Sequence, residues 1–441
     1  MSAAQAMLAS TTRMLRASWR DGFCRDLYAD FNSLTLAITL EALFGARMAA
    51  GEDAAGRGIT DAIREAFRFF AARGASALAL PEWLPTPGNL RFAAAVARLD
   101  AAVLGLIAQR RRELAAAPRP PGDLLDSLLL AADEAGQGMG DRAARDEAMT
   151  LLVAGQETSA IVLGWACAYL AHHPEAQAAA AAEVAARVGA RPLQAADAGR
   201  LPWVEAVVLE AMRLSPPAYL VGRCAAEATN LGGYHLPRGT TVLVSPHLLH
   251  RDPQHWGPDA AAFRPERWLE LQRAQLEQGQ PGTQQGVGGS QQPPAGCPHA
   301  AAAGNGGSGG GGGVSGGGEL GGSGMAFLTG MGPHGAYIPF GAGQRNCIGT
   351  GEALRGECFA LAGTAPHLKP AVGLEPLTHT DQPLLPPLAL PAGFAMLEAV
   401  LVVASILQQY RLEPLPGAPF PAARPQITLR PDSVRLLLRR R

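Results

Sequence analysis

The chain has 441 residues, a formal net charge of −1, 48% hydrophobic residues and 17% charged residues. That is enough to bury a large core as one catalytic unit with insertions, and without a basic stripe interleaved with aromatics nucleic acid is not expected as a partner. Six cysteines, at 24, 167, 224, 297, 347 and 358, follow no disulfide framework and suit a reducing compartment.

In chain order, the first 20 residues are rich in Ala, Ser, Thr and Arg, hold no acid before Asp21 and have the flavour of a transit peptide. They contain no run of about 20 apolar residues that could span a membrane. Helical periodicity covers 27–50, 59–74, 90–114, 142–171, 174–188 and 202–214. The long apolar helix at 142–171 is stopped by His172, His173 and Pro174. Strand signals are confined to 220–245, Gln426–Leu429 and Val434–Leu438, so the expected fold is mainly α with small β-sheets. Residues 271–324 turn to Gln, Gly, Ser and Pro, with a nearly unbroken Gly tract at 306–318. Such a stretch buries almost no apolar surface and is expected to be a disordered surface insertion, with Cys297 and His299 as linker residues rather than metal ligands. Leu397 to Leu407 is apolar but too short to span a membrane and reads as a core helix.

Two segments carry chemistry. In FGAGQRNCIG, Phe340 to Gly349, one cysteine sits in a glycine-rich loop with Arg345 two residues before it. Gly341, Gly343 and Gly349 let the backbone turn and bring N–H groups near the sulfur, so Cys347 can stay deprotonated and bind a soft or borderline metal. Haem iron held by one axial cysteine fits. Four-cysteine zinc or iron–sulfur sites do not, because no second cysteine stands at CxxC spacing. The bland alternative is a Gly-rich turn around an inert cysteine. In AGQET, Ala154 to Thr158, Gly155 and Thr158 are poor helix formers in mid-helix, at a cost of about 1 kcal/mol for the glycine, so something other than helix stability should explain them. Gly155 leaves room for a flat macrocycle or small ligand, Thr158 offers a hydroxyl, and Glu157 can pass protons. The bland alternative is the end of a polar stripe.

The cysteine loop resembles the signature of the cytochrome P450 family, Phe-x-x-Gly-x-Arg-x-Cys-x-Gly, at every fixed position. EAMR, Glu210 to Arg213, is similar to the family's Glu-x-x-Arg pair, its i, i+3 spacing placing both on one helix face. FRPERW, Phe263 to Trp268, resembles the segment supplying the third member, Arg267. The resemblance implies a single P450-fold catalytic domain over 1–441 that lacks the N-terminal strands and anchor, with haem b bound axially by Cys347. It implies that Phe340, Gly341 and Gly349 cradle the haem, that Arg345 and Arg223 hold its propionates, that Thr158 and Glu157 handle protons for oxygen, and that Glu210, Arg213 and Arg267 are structural. The implied activity is insertion of one oxygen atom from O2 into an apolar substrate of terpenoid, carotenoid or fatty-acid type. A flavoprotein reductase or a ferredoxin would supply electrons. The stretches LGGYHLPRGT to HRDPQHW look most like a plant and algal branch with carotenoid hydroxylases, which would place the protein in the chloroplast or at the endoplasmic reticulum membrane surface. Two other readings stay open: a haem-thiolate isomerase or dehydratase of lipid hydroperoxides, and a non-functional fragment of an incomplete gene.

The chain also departs from the family. Trp19 is followed four residues later by Phe23 rather than the family's propionate-binding arginine, and the strand at Thr241 to Ser245 would lack neighbours, leaving an apolar edge. After the ligand, Glu352 to Gly393 interrupts the expected helix; deleting it joins Gly351 to FAMLEAVL and restores the pattern. Gly351-Glu352 and Ala392-Gly393 can encode splice donor and acceptor sequences, so the insertion reads as a retained intron, the alternative being a tolerated surface loop. Transcript sequencing is expected to find messages lacking these codons, and spliced messages that still carry them would refute the reading.

Overall fold

The computed structural model describes residues 3–45, 54–74, 76, 80–131, 138–279, 336–342, 345–347 and 393–441. Its first element is helix α1 (Ala3–Ser18), whose Ala4, Met7, Thr11 and Leu15 recur at helical spacing and are buried, followed by buried Trp19. Composition hid an apolar stripe here, which packs on the next helix. Strand β1 (Cys24–Asp26) leads into α2 (Leu27–Phe44), where the Asp26 carboxylate accepts the Tyr28 N–H as an N-cap. This helix ends six residues before the periodicity suggested, at Gly45, which takes φ +58° and caps Leu40 O.

Helices α3 (Ala54–Gly74), α4 (Pro87–Ala116) and a short α5 (Leu124–Leu130) lead to α6 (Asp141–His172). This is long and apolar enough to cross a membrane, yet most of its apolar part is buried as the central helix of the fold. Around it pack α2, α4, α7 (Pro174–Arg187), α8 (Pro202–Leu214) and, late in the chain, α12 (Phe394–Gln409). The core helix read at Leu397–Leu407 is α12, with Val400 to Ala404 fully buried. Between α8 and α12 come β2 (Val221–Cys224), β3 (Thr229–Leu231), β4 (Tyr234–Leu236), β5 (Thr241–Val244), α9 (Pro246–Leu249), α10 (Pro253–Trp256) and α11 (Glu266–Gly279). Helix α11 carries order into the stretch read as disordered from 271; residues 280–324 of that stretch, and the 352–393 insertion except Gly393, lie outside the described residues.

The sheets are small, as expected. After α12 come β6 (Tyr410–Pro414), β7 (Ala423–Pro425), β8 (Leu429–Pro431) and β9 (Arg435–Arg440). Strands β1, β9 and β6 form one antiparallel sheet, with Cys24 opposite Leu437 and Leu412 opposite Leu438. Strand β5 has one neighbour where none was expected: it pairs with β2, Val244 opposite Val221. Its other edge is unpaired among the described residues, and Leu243 and Val244 stand exposed.

Two buried carboxyls mark this core. Glu398 on α12 is fully buried, and Ser159 Oγ on α6 donates to its Oε2 at 2.6 Å. Glu205, in the first turn of α8, is also buried; neither Oε1 has a partner among the described residues. Burial pushes both carboxyls up to about 8, with the nearby Glu183 adding to the effect on Glu205. The folded chain thus keeps protons that the unfolded chain releases near pH 4.3, so stability falls as pH rises from about 4.3 to about 8, by at most about 1.4 kcal/mol per unit for each group. Replacing Glu398 with Gln is expected to flatten this slope in urea titrations between pH 5 and 8. An unchanged slope would show that Glu398 does not titrate in this window.

Candidate cofactor site

The site rests on one buried carboxylate. Glu210 and Arg213, one turn apart on α8, are both inaccessible to solvent and joined by two hydrogen bonds, Nε to Oε2 at 2.9 Å and Nη2 to Oε1 at 2.8 Å. Arg267 Nε reaches Oε1 at 3.0 Å, Trp268 Nε1 reaches Oε2 at 3.0 Å and the Arg264 backbone N–H reaches Oε1 at 2.9 Å. Arg213 spends its remaining donors on the carbonyls of His250 (2.7 Å), Ala260 (2.6 Å) and Ala262 (3.0 Å). Every N–H of its guanidinium is thereby satisfied, and its face lies over Trp256 at 5.0 Å. The trio of Glu210, Arg213 and Arg267 is brought together, and α8 is tied to the segment from 250 to 268.

The cysteine loop hangs from the same network. Tyr337, buried against Trp268 and Trp256, donates its hydroxyl to Leu209 O on α8 at 3.0 Å. The Ile338 N–H donates to His250 Nε2 at 2.8 Å. Phe340 packs on the core, Gly341 takes φ +80° while its N–H bonds Ile338 O at 3.1 Å, and the Cys347 N–H returns to Phe340 O at 2.9 Å. Gly341 is therefore required by the backbone itself. The Cys347 side chain ends this turn exposed. Gly343 and Gly349 lie outside the described residues.

On α6 the structure separates what the sequence placed side by side. Ala154 is exposed and Thr158 partly so, forming an open strip on a helix otherwise mostly buried, and the Thr158 hydroxyl donates to Ala154 O at 2.6 Å. Glu157 turns the other way: it is buried, accepts a hydrogen bond from Tyr28 Oη at 3.1 Å, and burial raises its pKa above the usual carboxylate range. Gly155 is likewise accounted for differently than expected. A Cβ there would lie 3.1 Å from Thr39 Oγ1, so the glycine admits α2 rather than a ligand.

The two propionate candidates are both exposed. Arg223 on β2 donates only to the neighbouring Gly222 O, and neither it nor Arg345 has an ion-pair partner among the described residues. Leu220, just before β2, and Leu243 and Val244 on β5 are exposed as well. A flat apolar group bearing carboxylates suits these features: cations without acidic partners among the described residues, exposed apolar residues on β5, an accessible thiol on a tight turn and an uncovered strip on the central helix. Haem b fits this donor set, and Cys347, Arg345 and Arg223 would hold it. His250, Tyr337 and Trp268 were missed by the sequence reading, although HRDPQHW and AYIPF were the signals that could have found them.

This pairing of a helix-rich fold with a single cysteine on a glycine turn defines the haem-thiolate class. The sequence profile described as Cytochrome P450 matches residues 6–281, and the chain belongs to the cytochrome P450 family, whose members bind haem b through a cysteine thiolate. A cyclooctat-9-en-7-ol 5-monooxygenase of Streptomyces melanosporofaciens is 35% identical over 279 residues, covering 62% of this chain and 58% of that protein. Pentalenene oxygenase of Streptomyces avermitilis is 31% identical over 256 residues, covering 57% of this chain and 54% of that protein. The crystal structure of a cytochrome P450 (CYP102L1) aligns with a TM-score of 0.69 at 26% identity, over 100% of this chain and 78% of that one. The chain thus spans a little over half the length of these two oxygenases. None of these names singles out a carotenoid-hydroxylase branch.

Lysine in place of Arg213 keeps one charge but loses the planar fork, leaving several buried acceptors without donors. Arg213→Lys is expected to cost about 3–5 kcal/mol in denaturant unfolding. A loss below about 1 kcal/mol would remove the network from its central place.

Proposed function

We propose that this chain forms the haem-thiolate part of a monooxygenase acting on an apolar, terpenoid-type substrate. The observation that carries the reading is the exposed Cys347 on a turn anchored to buried α8, in a chain whose cations Arg223 and Arg345 have no acidic partners among the described residues. Haem bound there would supply the oxygen-activating chemistry. The residues do the rest. Cys347 would hold the iron through its thiolate, and the guanidinium groups of Arg345 and Arg223 would neutralise the carboxylates of the bound group. The exposed side chains of Leu220, Leu243 and Val244 offer apolar surface for a hydrocarbon substrate.

Thr158 holds a hydroxyl proton on the open strip of α6, poised by its bond to Ala154 O. Burial raises the Glu157 pKa, and its carboxyl must leave Tyr28 to exchange a proton with that strip. Electrons would come from a flavoprotein reductase or a ferredoxin. The names of the Streptomyces relatives, which denote oxygenases of cyclooctat-9-en-7-ol and pentalenene, favour a terpenoid over a fatty acid. That the sequence carries both Glu157 and Thr158 disfavours a hydroperoxide isomerase, which needs the thiolate but no proton delivery to oxygen.

The reduced protein treated with carbon monoxide is expected to show the Soret band of thiolate-ligated haem, and Cys347→Ser is expected to abolish it. Thr158→Ala is expected to keep the band while lowering product formed per reducing equivalent by about a hundredfold. A Cys347→Ser protein with the parent's spectrum would sink the proposal. Full turnover with peroxide, alongside none with O2 and a reductase, would favour the isomerase instead.

A further inference from the structure

We infer that His250 is the positioning residue of the cysteine loop: one ring, fastened to α8 by its own backbone, accepts the Ile338 N–H and so sets where the turn bearing Cys347 begins. The residue is fully buried and serves two partners at once. Its carbonyl takes a hydrogen bond from Arg213 Nη1 at 2.7 Å, and its backbone N–H closes α9 on Pro246 O at 2.8 Å, so the main chain at 250 is fixed relative to α8. From that fixed point the imidazole reaches across to Ile338 N at 2.8 Å and lies against the Tyr337 ring at a centroid distance of 5.1 Å. Residues 337 and 338 are thus clamped side by side, Tyr337 to Leu209 O directly and Ile338 to Arg213 through the histidine. Immediately afterwards the chain makes its tight turn, Gly341 N–H to Ile338 O, and closes it with Cys347 N–H to Phe340 O.

Only a ring nitrogen without a proton can accept. Burial, reinforced by the Arg213 charge, depresses the His250 pKa to about 3, and the Ile338 bond assigns the proton of the neutral ring to Nδ1. The backbone of Arg213, and more weakly that of Met212, favours the charged ring against burial, but Nδ1 makes no bond of good geometry among the described residues. The imidazole is therefore held by its backbone and by Ile338. An apolar ring of similar size would fill the space and leave the Ile338 N–H buried without a partner, whereas a glutamine places an amide oxygen near the position of Nε2.

The consequence for iron ligation rests on the proposed role of Cys347; the anchoring does not, and the two are tested separately. In the full chain with no haem added, His250→Phe is expected to speed deuterium uptake by the 336–347 peptide about tenfold, the equivalent of about 1.4 kcal/mol, with α8 unaffected. His250→Gln is expected to return uptake to within about threefold of the parent. If His250→Phe does not fold, His250→Asn replaces it, since its amide is too short to reach Ile338. Equal uptake in the parent and the acceptor-less variant overturns the inference. So does a His250→Gln protein as loose as His250→Phe, since the ring's packing would then be the cause. With haem bound, the carbon monoxide band of His250→Phe is expected to lose its thiolate character and that of His250→Gln to regain it. A fully thiolate-type band in a His250→Phe protein with a loosened loop overturns the link to the sulfur, while leaving the reading of Cys347 intact.

Discussion

Everything near the site depends on a carboxylate kept out of water. Glu210 is removed from solvent together with Arg213, and Arg267 is nearly so, a desolvation that only a complete set of hydrogen bonds can offset. The set is complete: two side-chain bonds from Arg213, one each from Arg267 and Trp268, and a backbone N–H from Arg264. Such a network tolerates one geometry only, because each displaced partner leaves a buried charge exposed to a low-dielectric interior. Its value lies less in net stability than in fixing register between a helix and the loop-rich stretch from 250 to 268, which has little regular structure of its own. Tyr337 and His250 extend that register to the cysteine turn.

The central helix shows a second division of labour. Toward α2 it needs closeness, which Gly155 provides against Thr39, and it exchanges buried polar contacts there through Gln156, whose Nε2 donates to Asn32 Oδ1 at 2.7 Å. Toward α12 it offers Ser159 to Glu398. In the apolar second half of the helix, the strip through Ala154 and Thr158 is left uncovered. Consecutive residues on a helix point about 100° apart, so a pentapeptide read as one functional unit is divided between α2, which meets Gly155, Gln156 and Glu157, and the open strip of Ala154 and Thr158. Glu157 lies on the Tyr28 side, and a proton moving from it to Thr158 must cross from one face of the helix to another.

This is also where the sequence was least legible. Periodicity found the long helices from α2 to α8 with ends off by up to six residues, because each buries an apolar stripe, and Gly45 and the pair His173-Pro174 mark real ends. It missed α1, whose stripe is diluted by Ala, Ser and Thr, β1, too short to show alternation, and β6, whose alternation runs only from Tyr410 to Glu413 directly behind a helix. The Glu210–Arg213–Arg267 grouping was visible only because a family pattern joined residues more than fifty positions apart; i, i+3 spacing alone describes any surface pair. The anchoring role of His250 was invisible for a simpler reason. It lies in what its ring nitrogen and its carbonyl touch, and neither leaves a periodic trace.

The cysteine turn illustrates why a reactive group can sit on a segment with no core of its own. The role proposed for Cys347 needs a sulfur that a metal can reach, so the turn cannot be buried, and an exposed turn held only by its own backbone bonds would sample many positions. Two adjacent residues solve this by lending the turn a distant rigidity: Tyr337 reaches helix backbone, and Ile338 reaches a histidine whose carbonyl belongs to the buried charge network. Gly341, at φ +80°, then supplies a bend that any other residue would enter only under strain. Order at the sulfur is therefore inherited from Glu210, through a chain of donors and acceptors with few alternative pairings, rather than generated where the chemistry takes place.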